Sequence, residues 1–425
     1  MMGWFTSQWR SALFNFRYIT WPKWCKRQIK LDIYLALNDP YSYLLVQLLP
    51  ALEQCFDVKL SLHLISENLP SDTYAANAWH RWAWQDCQAL AVEYHLPPMT
   101  EKPSLRSVVT GQQLWQLQPK TLTNAIALFH QTWRNDFTCH YPHSTPVINS
   151  LITNQMDMIS RGFYLPASIY CMGEWYWGLD RLALLSERLT TLLVNKPAQT
   201  AHFFANTPAD FLIKQGEEPS PSPVALLNNS TPQPMIIYLS LRSPYSYLGL
   251  VKAQTLAKKY QLPLLIKPVL PLVMRGAKLS KNKLKYIYLD ARRQCQLLSV
   301  PFARFVDPLG KGIENCYQLL PYVAQQNAQI RFFEVMFQAV NVQGINLADQ
   351  RNMLKLCRSI DLDYHAAVQY ATEHSWHAMV EQNQQELTAL GFWGVPCFQY
   401  QQTAVWGQDR LYRIEQAIIE QQKLQ

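Results

Sequence analysis

The chain has few glycines and few charged residues, and each shortage excludes a class of protein. Its 425 residues include 14 glycines and 16% charged residues, against 49% hydrophobic residues. It has no glycine-rich phosphate loop and no histidines at the spacing of a metal site. It also has no run of 18 or more apolar residues, so a membrane-spanning helix is not expected. The sequence predicts a globular protein without a metal centre.

Cysteine pairs are also missing. The nine cysteines are scattered, their number is odd, and none forms a C-x-x-C pair. A disulfide framework or a zinc site would require paired cysteines, whereas free thiols are typical of a reducing compartment. We therefore predict a cytoplasmic protein.

Positive charge is concentrated at the beginning of the chain. Residues 1–30 contain six basic groups and no acid, and Phe5, Trp9, Ala12 and Phe16 could share one helical face. A basic aromatic arm over residues 1–28 can lie on an anionic membrane surface, or it can cover the edge of a neighbouring core. It lacks the uninterrupted apolar centre of a secretory signal, and no nucleic-acid-binding fold accompanies it.

One motif occurs twice. Residues 38–44 read Asn-Asp-Pro-Tyr-Ser-Tyr-Leu, and residues 242–248 read Arg-Ser-Pro-Tyr-Ser-Tyr-Leu. A second pair ends each half, where residues 176–182 and 405–411 share Trp-Gly, then Asp-Arg-Leu, each after an aliphatic-Pro dipeptide. The two pairs recur in the same order at offsets of 204 and 229 residues, which predicts a tandem duplication.

The length and the proline distribution predict where the chain divides. A chain of 425 residues is long enough for two or three domains. Residues 197–233 are rich in proline and serine, which is typical of an exposed linker. We therefore expect one domain over residues 29–196 and a second over residues 234–425.

The same order of elements is predicted in both halves. It is strand, helix, strand, a long helical insertion, a proline-containing turn, a strand hairpin and a last helix. In the second half these lie near 235–241, 245–260, 263–269, 281–390, 397–406 and 409–424. A strand–helix–strand start implies a parallel pair with a right-handed crossover. The fold class is therefore α/β, with two tandem thioredoxin-like domains that each carry an all-helical insertion.

The second half resembles a known family. The motif at 243–248, with Gly394-Val395-Pro396 and residues 406–411, resembles the 2-hydroxychromene-2-carboxylate isomerase family. That family is similar to kappa-class glutathione transferases and to the DsbA-like thioredoxin superfamily. The resemblance covers nearly all of residues 234–425 and, more weakly, residues 30–195. It implies glutathione as cofactor and a small aromatic or electrophilic substrate.

Ser243 is the candidate catalytic residue. In a thioredoxin-type domain, the turn after the first strand carries a C-x-x-C pair at the start of a helix, where N–H groups and the helix dipole favour a thiolate. Ser243 and Ser246 stand at those positions, so disulfide exchange by this domain is disfavoured. A hydroxyl could instead donate a hydrogen bond to the thiolate of glutathione and lower its pKa. The alternative is that Ser243 only caps the helix.

The resemblance implies five glutathione-binding residues. Val395 precedes an expected cis-proline, Pro396, and would offer its backbone to the tripeptide. Gln408 and Asp409 would bind the γ-glutamyl end, and Lys283 would contact the tripeptide as well. As alternatives, Asp409 could be a helix cap and Lys283 a solvated residue at a helix start. The family's asparagine in the loop before Lys283 has no clear equivalent.

The first half differs at these positions. Asp39 replaces the serine, Trp79 stands where Lys283 would be, Asp180 persists, and Pro166 is the expected counterpart of Pro396. A negative charge on Asp39 would oppose a thiolate by roughly 1–4 kcal/mol. We therefore interpret the first domain as a degenerate copy.

Several alternatives stay open at this stage. A kappa-like transferase or peroxidase would use the same thiolate, a thiol–disulfide oxidoreductase would need paired cysteines, and a non-catalytic scaffold would need neither. Cys397 is expected to be a buried apolar residue and not a nucleophile. The oligomeric state is open, since two fused domains could imitate a dimer within one chain.

Overall fold

The computed structural model describes residues 28–66, 76–139, 141, 144–193 and 232–424. Nearly all of the predicted arm (1–28) and linker (197–233) lies outside these residues. The described residues form two compact units. The N-terminal unit comprises residues 28–193 together with Leu279–Tyr286, and the C-terminal unit comprises 232–278 and 287–424. The two predicted domain boundaries stay predictions.

The N-terminal unit is built on a four-stranded sheet. The strand order is β2-β1-β3-β4, with β1 and β2 parallel and the other pairs antiparallel. Four helices of the described part lie between β2 and β3, as the predicted insertion requires. The elements are β1 (Ile29–Leu35), α1 (Pro40–Cys55), β2 (Val58–Leu64), α2 (Ala76–Glu93), α3 (Leu105–Leu117), α4 (Leu122–Trp133), α5 (Thr145–Ser160), β3 (Ser168–Cys171), β4 (Glu174–Trp177) and α6 (Leu182–Leu192), with a 3-10 turn at Leu179–Arg181.

The C-terminal unit has the same sheet topology, in the order β6-β5-β7-β8. Strands β5 and β6 are parallel and the other pairs are antiparallel, as the strand–helix–strand start predicted. The elements are β5 (Met235–Leu239), α7 (Pro244–Lys259), β6 (Leu264–Pro268), α8 (Lys281–Leu297), α9 (Lys311–Tyr317), α10 (Leu320–Gln325), α11 (Gln329–Asn341), α12 (Gln350–Arg358), α13 (Tyr364–Glu373), α14 (Trp376–Ala389), β7 (Cys397–Tyr400), β8 (Thr403–Trp406) and α15 (Leu411–Leu424), with 3-10 turns at Leu272–Arg275 and Gln408–Arg410.

Each repeated motif forms a sharp junction between a strand and a helix. Asp39 and Ser243 take extended backbone conformations and cap α1 and α7, because each side chain accepts a hydrogen bond from the N–H three residues later. A proline follows each cap, in the first turn of the helix where its missing N–H is tolerated. The duplicated motif is therefore a helix start in both units.

The two units also share contacts between distant elements. The side-chain amide of Asn154 donates to the carbonyl oxygen of Leu64 at 2.8 Å, and that of Asn383 donates to the carbonyl oxygen of Pro268 at 2.9 Å. In both units this bond joins the last insertion helix to the end of the second strand. An asparagine thus forms the same bond in each unit. Leu64 and Pro268 are 204 residues apart and Asn154 and Asn383 are 229 apart, which are the two offsets between the repeated motifs.

The prediction that Pro166 is the counterpart of Pro396 is wrong by one residue. The N–H of Gly407 donates to the carbonyl oxygen of Pro396 at 2.8 Å, and the N–H of Gly178 donates to that of Ala167 at the same distance. Ala167, at φ 55°, therefore takes the position of Pro396. The reason is the register of the hairpin strands, which places β3 and β7 at an offset of 229 residues, whereas the two aliphatic-Pro dipeptides are 230 apart.

None of the helices within the described ranges is long and apolar enough to cross a lipid bilayer.

Candidate functional site

Ser243 lies at the opening of α7, where it is partly exposed. Its Oγ accepts a hydrogen bond from the N–H of Ser246 at 3.1 Å. Ser246 is fully buried, and its Oγ accepts from the N–H of Ser240 at 3.2 Å, so the second serine supports the turn. Ser243 is therefore a helix cap. Capping uses the oxygen as acceptor, and the hydroxyl proton has no acceptor among the described residues, so it can be donated to a ligand.

Pro396 packs against the helix that Ser243 opens. The Val395–Pro396 peptide bond is cis, as the resemblance implied, and it is the one cis bond within the described ranges. A Cβ added to Gly249 would lie 3.0 Å from both Cβ and Cγ of Pro396, so the helix backbone touches the proline ring directly. Val395 is partly exposed beside the buried proline. The helix that Ser243 opens therefore packs against the turn that contains Val395 and Pro396.

Gln408 and Asp409 begin the last helical segment, where they connect to a buried acid. The amide nitrogen of Gln408 donates to Gln294 Oε1 and to Asp409 Oδ2, each at 3.2 Å. The amide of Gln294 in turn donates to Asp290 Oδ2 at 2.8 Å. Gln408 and Asp290 are buried, while Asp409 is partly exposed. The network holds Gln408 beside the partly exposed Asp409.

Asp290 also connects this network to the helix opened by Ser243. The hydroxyl of Tyr245, two residues after Ser243, donates to Asp290 Oδ2 at 2.7 Å. Arg293 pairs with Asp290 Oδ1 at 3.2 Å, so the fully buried carboxylate accepts from three side chains. Sequence reasoning did not assign Asp290 to the site. The available signal was its counterpart Asp86, which accepts from Tyr41 at 2.9 Å in the other unit.

Lys283 lies in the segment Leu279–Tyr286, which belongs to the N-terminal unit. Its backbone N–H donates to Ser280 Oγ at 3.2 Å, and its Nζ lies 5.7 Å from the centre of the Tyr164 ring. The other five predicted residues lie in the C-terminal unit. The first six residues of α8 are thus assigned to the N-terminal unit and the remainder of the helix to the C-terminal unit.

Cys397 is buried, as expected. Its Sγ lies 3.1 Å from the carbonyl oxygen of Gly394, and burial raises the pKa of its thiol well above the usual value. A thiol that stays protonated is a weak nucleophile. The described residues contain no group of three or more His, Cys, Asp or Glu side chains that could hold a metal ion.

The corresponding helix opening of the N-terminal unit is chemically different. Asp39 is buried, and burial raises the pKa of its carboxyl to about 6, although hydrogen bonds from Ser42 partly oppose that shift. The Ser42 N–H donates to Asp39 Oδ2 at 2.7 Å and its hydroxyl donates at 2.6 Å. The ring centre of Trp79 lies 6.4 Å from that of Tyr41 and 6.0 Å from that of Trp177. In this unit Asp39 therefore stands where the C-terminal unit has the Ser243 hydroxyl, and Trp79 stands where Lys283 was expected to have its counterpart.

Comparison with known proteins addresses the fold. Residues 235–419 match the family model of the DSBA-like thioredoxin domain. Residues 235–419 form a DsbA-like thioredoxin domain. No curated protein matches the chain.

Among solved structures, the chain is similar to a 2-hydroxychromene-2-carboxylate isomerase at 19% identity, with a TM-score of 0.39 and coverage of 44% of this chain and 95% of that one. It is also similar to a probable DsbA oxidoreductase from Streptomyces coelicolor, at 15% identity, a TM-score of 0.36 and coverage of 44% and 89%. The cytosolic disulfide reductase DsbM from Pseudomonas aeruginosa, in a structure with GSH, matches at 13% identity, a TM-score of 0.27 and coverage of 40% and 88%.

Proposed function

We propose that the chain is a glutathione-dependent isomerase of the 2-hydroxychromene-2-carboxylate isomerase type. The observation that carries the proposal is the partly exposed hydroxyl of Ser243 at the opening of α7. It occupies the place where a redox thioredoxin domain carries a cysteine, and its proton is available to a ligand. Bound glutathione would supply a thiol nucleophile that adds reversibly to an electrophilic double bond and so allows rotation about it.

The residues of the C-terminal unit fit this cofactor. The Ser243 hydroxyl and the N-terminal end of α7 would both stabilise a negative sulfur. The carboxylate of Asp409, held beside the buried Gln408, would complement the ammonium of the γ-glutamyl end. Val395, next to Pro396, would offer its backbone groups to the peptide portion. In this proposal Ser243 is the catalytic residue, and Val395, Pro396, Gln408 and Asp409 bind glutathione. The contact of Lys283 with glutathione stays a prediction, since its segment belongs to the N-terminal unit.

The N-terminal unit does not fit the cofactor. Its helix opens on a buried carboxyl whose pKa of about 6 leaves it mostly ionised at neutral pH, where it would repel a thiolate. We therefore infer that the chain arose by tandem duplication and that its first domain is a degenerate copy. The shared sheet order and the Asn154 and Asn383 bonds support this inference.

Two observations favour a second candidate, a non-catalytic thioredoxin-like scaffold. They are the acid at Asp39 and the location of Lys283 in the other unit. A kappa-like transferase or peroxidase would use the same serine and the same cofactor. Disulfide exchange is less well supported, because Ser243 and Ser246 replace the cysteine pair. On cysteine usage the protein is predicted to be cytoplasmic.

Calorimetric titration with glutathione tests the proposal. We expect wild-type protein to bind glutathione, and Ser243→Ala to raise the thiol pKa of bound glutathione by about one to two units, because a hydrogen bond to a charged group is lost. The thiolate's ultraviolet absorbance as a function of pH measures that pKa. Asp409→Ala should weaken binding.

Ser375→Ala is the control, because Ser375 is also a serine cap: its side chain caps α14 and accepts from the His377 N–H. If Ser243 were only a cap, the two alanine variants would change stability alike and neither would change glutathione binding. Absence of glutathione binding to wild type would remove the proposal and leave the scaffold.

A further inference from the structure

The hydroxyl of Tyr288 and the Nε of Arg292, both on α8, are buried donor atoms without a hydrogen-bond partner among the described residues. The Tyr288 side chain is only 4% exposed, and the two residues are four apart, so they share one face of the helix. Buried polar groups in folded proteins are normally paired, and a buried unpaired donor destabilises the fold. Two such donors on one helix face indicate a position prepared for an acceptor.

Aromatic rings surround the Tyr288 side chain. The ring centres of Phe302 and Phe305 lie 5.3 and 5.4 Å from that of Tyr288, in tilted and edge-on arrangements. Both phenylalanines are partly exposed on the loop after α8. A ligand bound at the two donors would therefore lie beside these rings, which favours a planar, unsaturated molecule.

The same rings border the helix that Ser243 opens. Tyr247 lies one turn after Ser243, and its ring centre is 6.5 Å from that of Phe302. The Tyr247 hydroxyl donates to the carbonyl oxygen of Pro301 at 3.0 Å, which holds the loop against α7. The aromatic group thus connects the proposed thiolate position to the donors on α8.

The chemistry of the donors selects the ligand. Burial raises the pKa of Tyr288, although Arg292 partly opposes the shift, so the phenol keeps its proton at neutral pH and donates. A guanidinium also donates and never accepts. A group that only accepts hydrogen bonds and carries negative charge meets both requirements, and a carboxylate does so in a planar geometry that suits arginine.

We propose that Tyr288 and Arg292 are specificity-determining residues that bind the carboxylate of a planar unsaturated substrate. The assignment rests on the proposed function in one respect, because the bound carboxylate positions the substrate's double bond towards the glutathione thiolate. The carboxylate site itself can be measured without glutathione.

Calorimetric titration of the full chain with trans-cinnamate, a planar aryl carboxylate, tests the site, with cinnamamide as its uncharged analogue. We expect cinnamate to bind the wild type and the amide to bind at least tenfold more weakly. Tyr288→Phe should weaken cinnamate binding about tenfold, and Arg292→Gln about ten- to a hundredfold, since each removes a hydrogen bond to a charged group. Arg292→Lys should recover only part of the affinity, because a lysine cannot reproduce the planar fork.

Tyr322→Phe and Arg331→Gln are the matched controls, because Tyr322 lies on α10 beside Tyr370 and Arg331 is exposed and pairs with Asp361. Neither should change cinnamate affinity, and circular dichroism would show that every variant is folded. The assignment would be overturned if cinnamate did not bind the wild type. It would also be overturned if cinnamate bound Tyr288→Phe and Arg292→Gln as tightly as it binds the wild type. Glutathione binding, titrated separately on the same variants, should be unchanged. If the wild type did not bind glutathione, that result would count against the proposed function and not against the carboxylate site.

Discussion

Gly249 and Pro396 are in direct contact: a methyl group added to Gly249 would lie 3.0 Å from two ring atoms of Pro396, and 3.2 Å from Phe398 Cζ. This contact brings the α7 backbone against the turn before β7. The close approach requires a residue without a side chain, although a glycine inside a helix lowers helix stability by itself. Gly249 therefore serves the packing of the site and not the helix.

Gly249→Ala should destabilise the protein. Overpacking against a proline ring costs about 1–3 kcal/mol, and the better helix propensity of alanine offsets about 1 kcal/mol of that. We expect a net loss of about 1–2 kcal/mol in the free energy of unfolding, measured by urea denaturation. Thr255→Ala, on the exposed side of the same helix, should change it by less than about 0.5 kcal/mol. If Gly249→Ala were more stable than the wild type, the Pro396 ring would have moved to make room for the added methyl group.

Asp290→Asn should destabilise the C-terminal unit and weaken glutathione binding together. The carboxylate accepts from Tyr245, Arg293 and Gln294, and an asparagine would leave at least one buried donor unpaired. We expect a loss of about 2–4 kcal/mol. Tyr245→Phe removes a single donor and should cost about 1.5 kcal/mol.

Urea denaturation measures both losses, and titration with glutathione measures the affinity. If Asp290→Asn lowered stability but left glutathione affinity unchanged, the network would not position Gln408 and Asp409.

Asp39 should make stability depend on pH in an unusual direction. Its folded pKa of about 6 lies above the unfolded value of about 3.9, so between these values the folded state binds more protons. The free energy of unfolding should therefore fall as pH rises through this window, by up to about 3 kcal/mol for a two-unit difference.

Asp39→Asn should remove this dependence, so that the variant gains stability relative to wild type between about pH 4 and pH 7. Urea denaturation at several pH values measures the difference. Asp57→Asn, at an exposed site in the same unit, is the control. Parallel pH profiles for wild type and Asp39→Asn would show that Asp39 titrates normally.

The cysteines should differ widely in reactivity. Cys139 is exposed and Cys55 is partly exposed, whereas six other described cysteines are buried. Burial raises the pKa of Cys295 and of Cys357 to about 12, so these thiols should react only after unfolding.

Among the described cysteines, an aromatic disulfide reagent should therefore label Cys139 first in the native protein, and Cys139→Ser should remove the contribution of Cys139 to the fast phase. The buried thiols should appear when urea is added. Rapid labelling of Cys397 in the native state would contradict its assignment as a buried, inert residue.

Much of the C-terminal fold could be predicted from local pattern. The strand at 235–241 and the helix at 245–260 correspond to β5 and α7, and the hairpin at 397–406 corresponds to β7 and β8. β5 is a continuous aliphatic and aromatic run, α7 places apolar residues at helical spacing, and turn residues bound these elements. The burial of Cys397 followed for the same reason.

Contacts between distant residues could not be predicted in this way. The pairing of Gln408 with Gln294 joins residues 114 positions apart, and no local pattern indicates it. The position of Ala167 depends on the register of β3 against β4. The aliphatic-Pro dipeptide of the first half is one residue out of that register, so the sequence pattern pointed to Pro166 instead. Lys283 was assigned by resemblance, but its segment packs with the other unit.

The sequence by itself determined that a strand leads into a helix through a serine or aspartate cap, in each of two similar halves, because capping and hydrophobic periodicity act over a few neighbouring residues. Only the tertiary structure decided that Gly249 touches Pro396, that Asp290 joins Tyr245 to Gln408, and that the Tyr288 hydroxyl and the Arg292 Nε are buried without hydrogen-bond partners among the described residues. These relationships arise when elements far apart in the chain are packed together, since a buried polar group must find its partner in space and not in sequence.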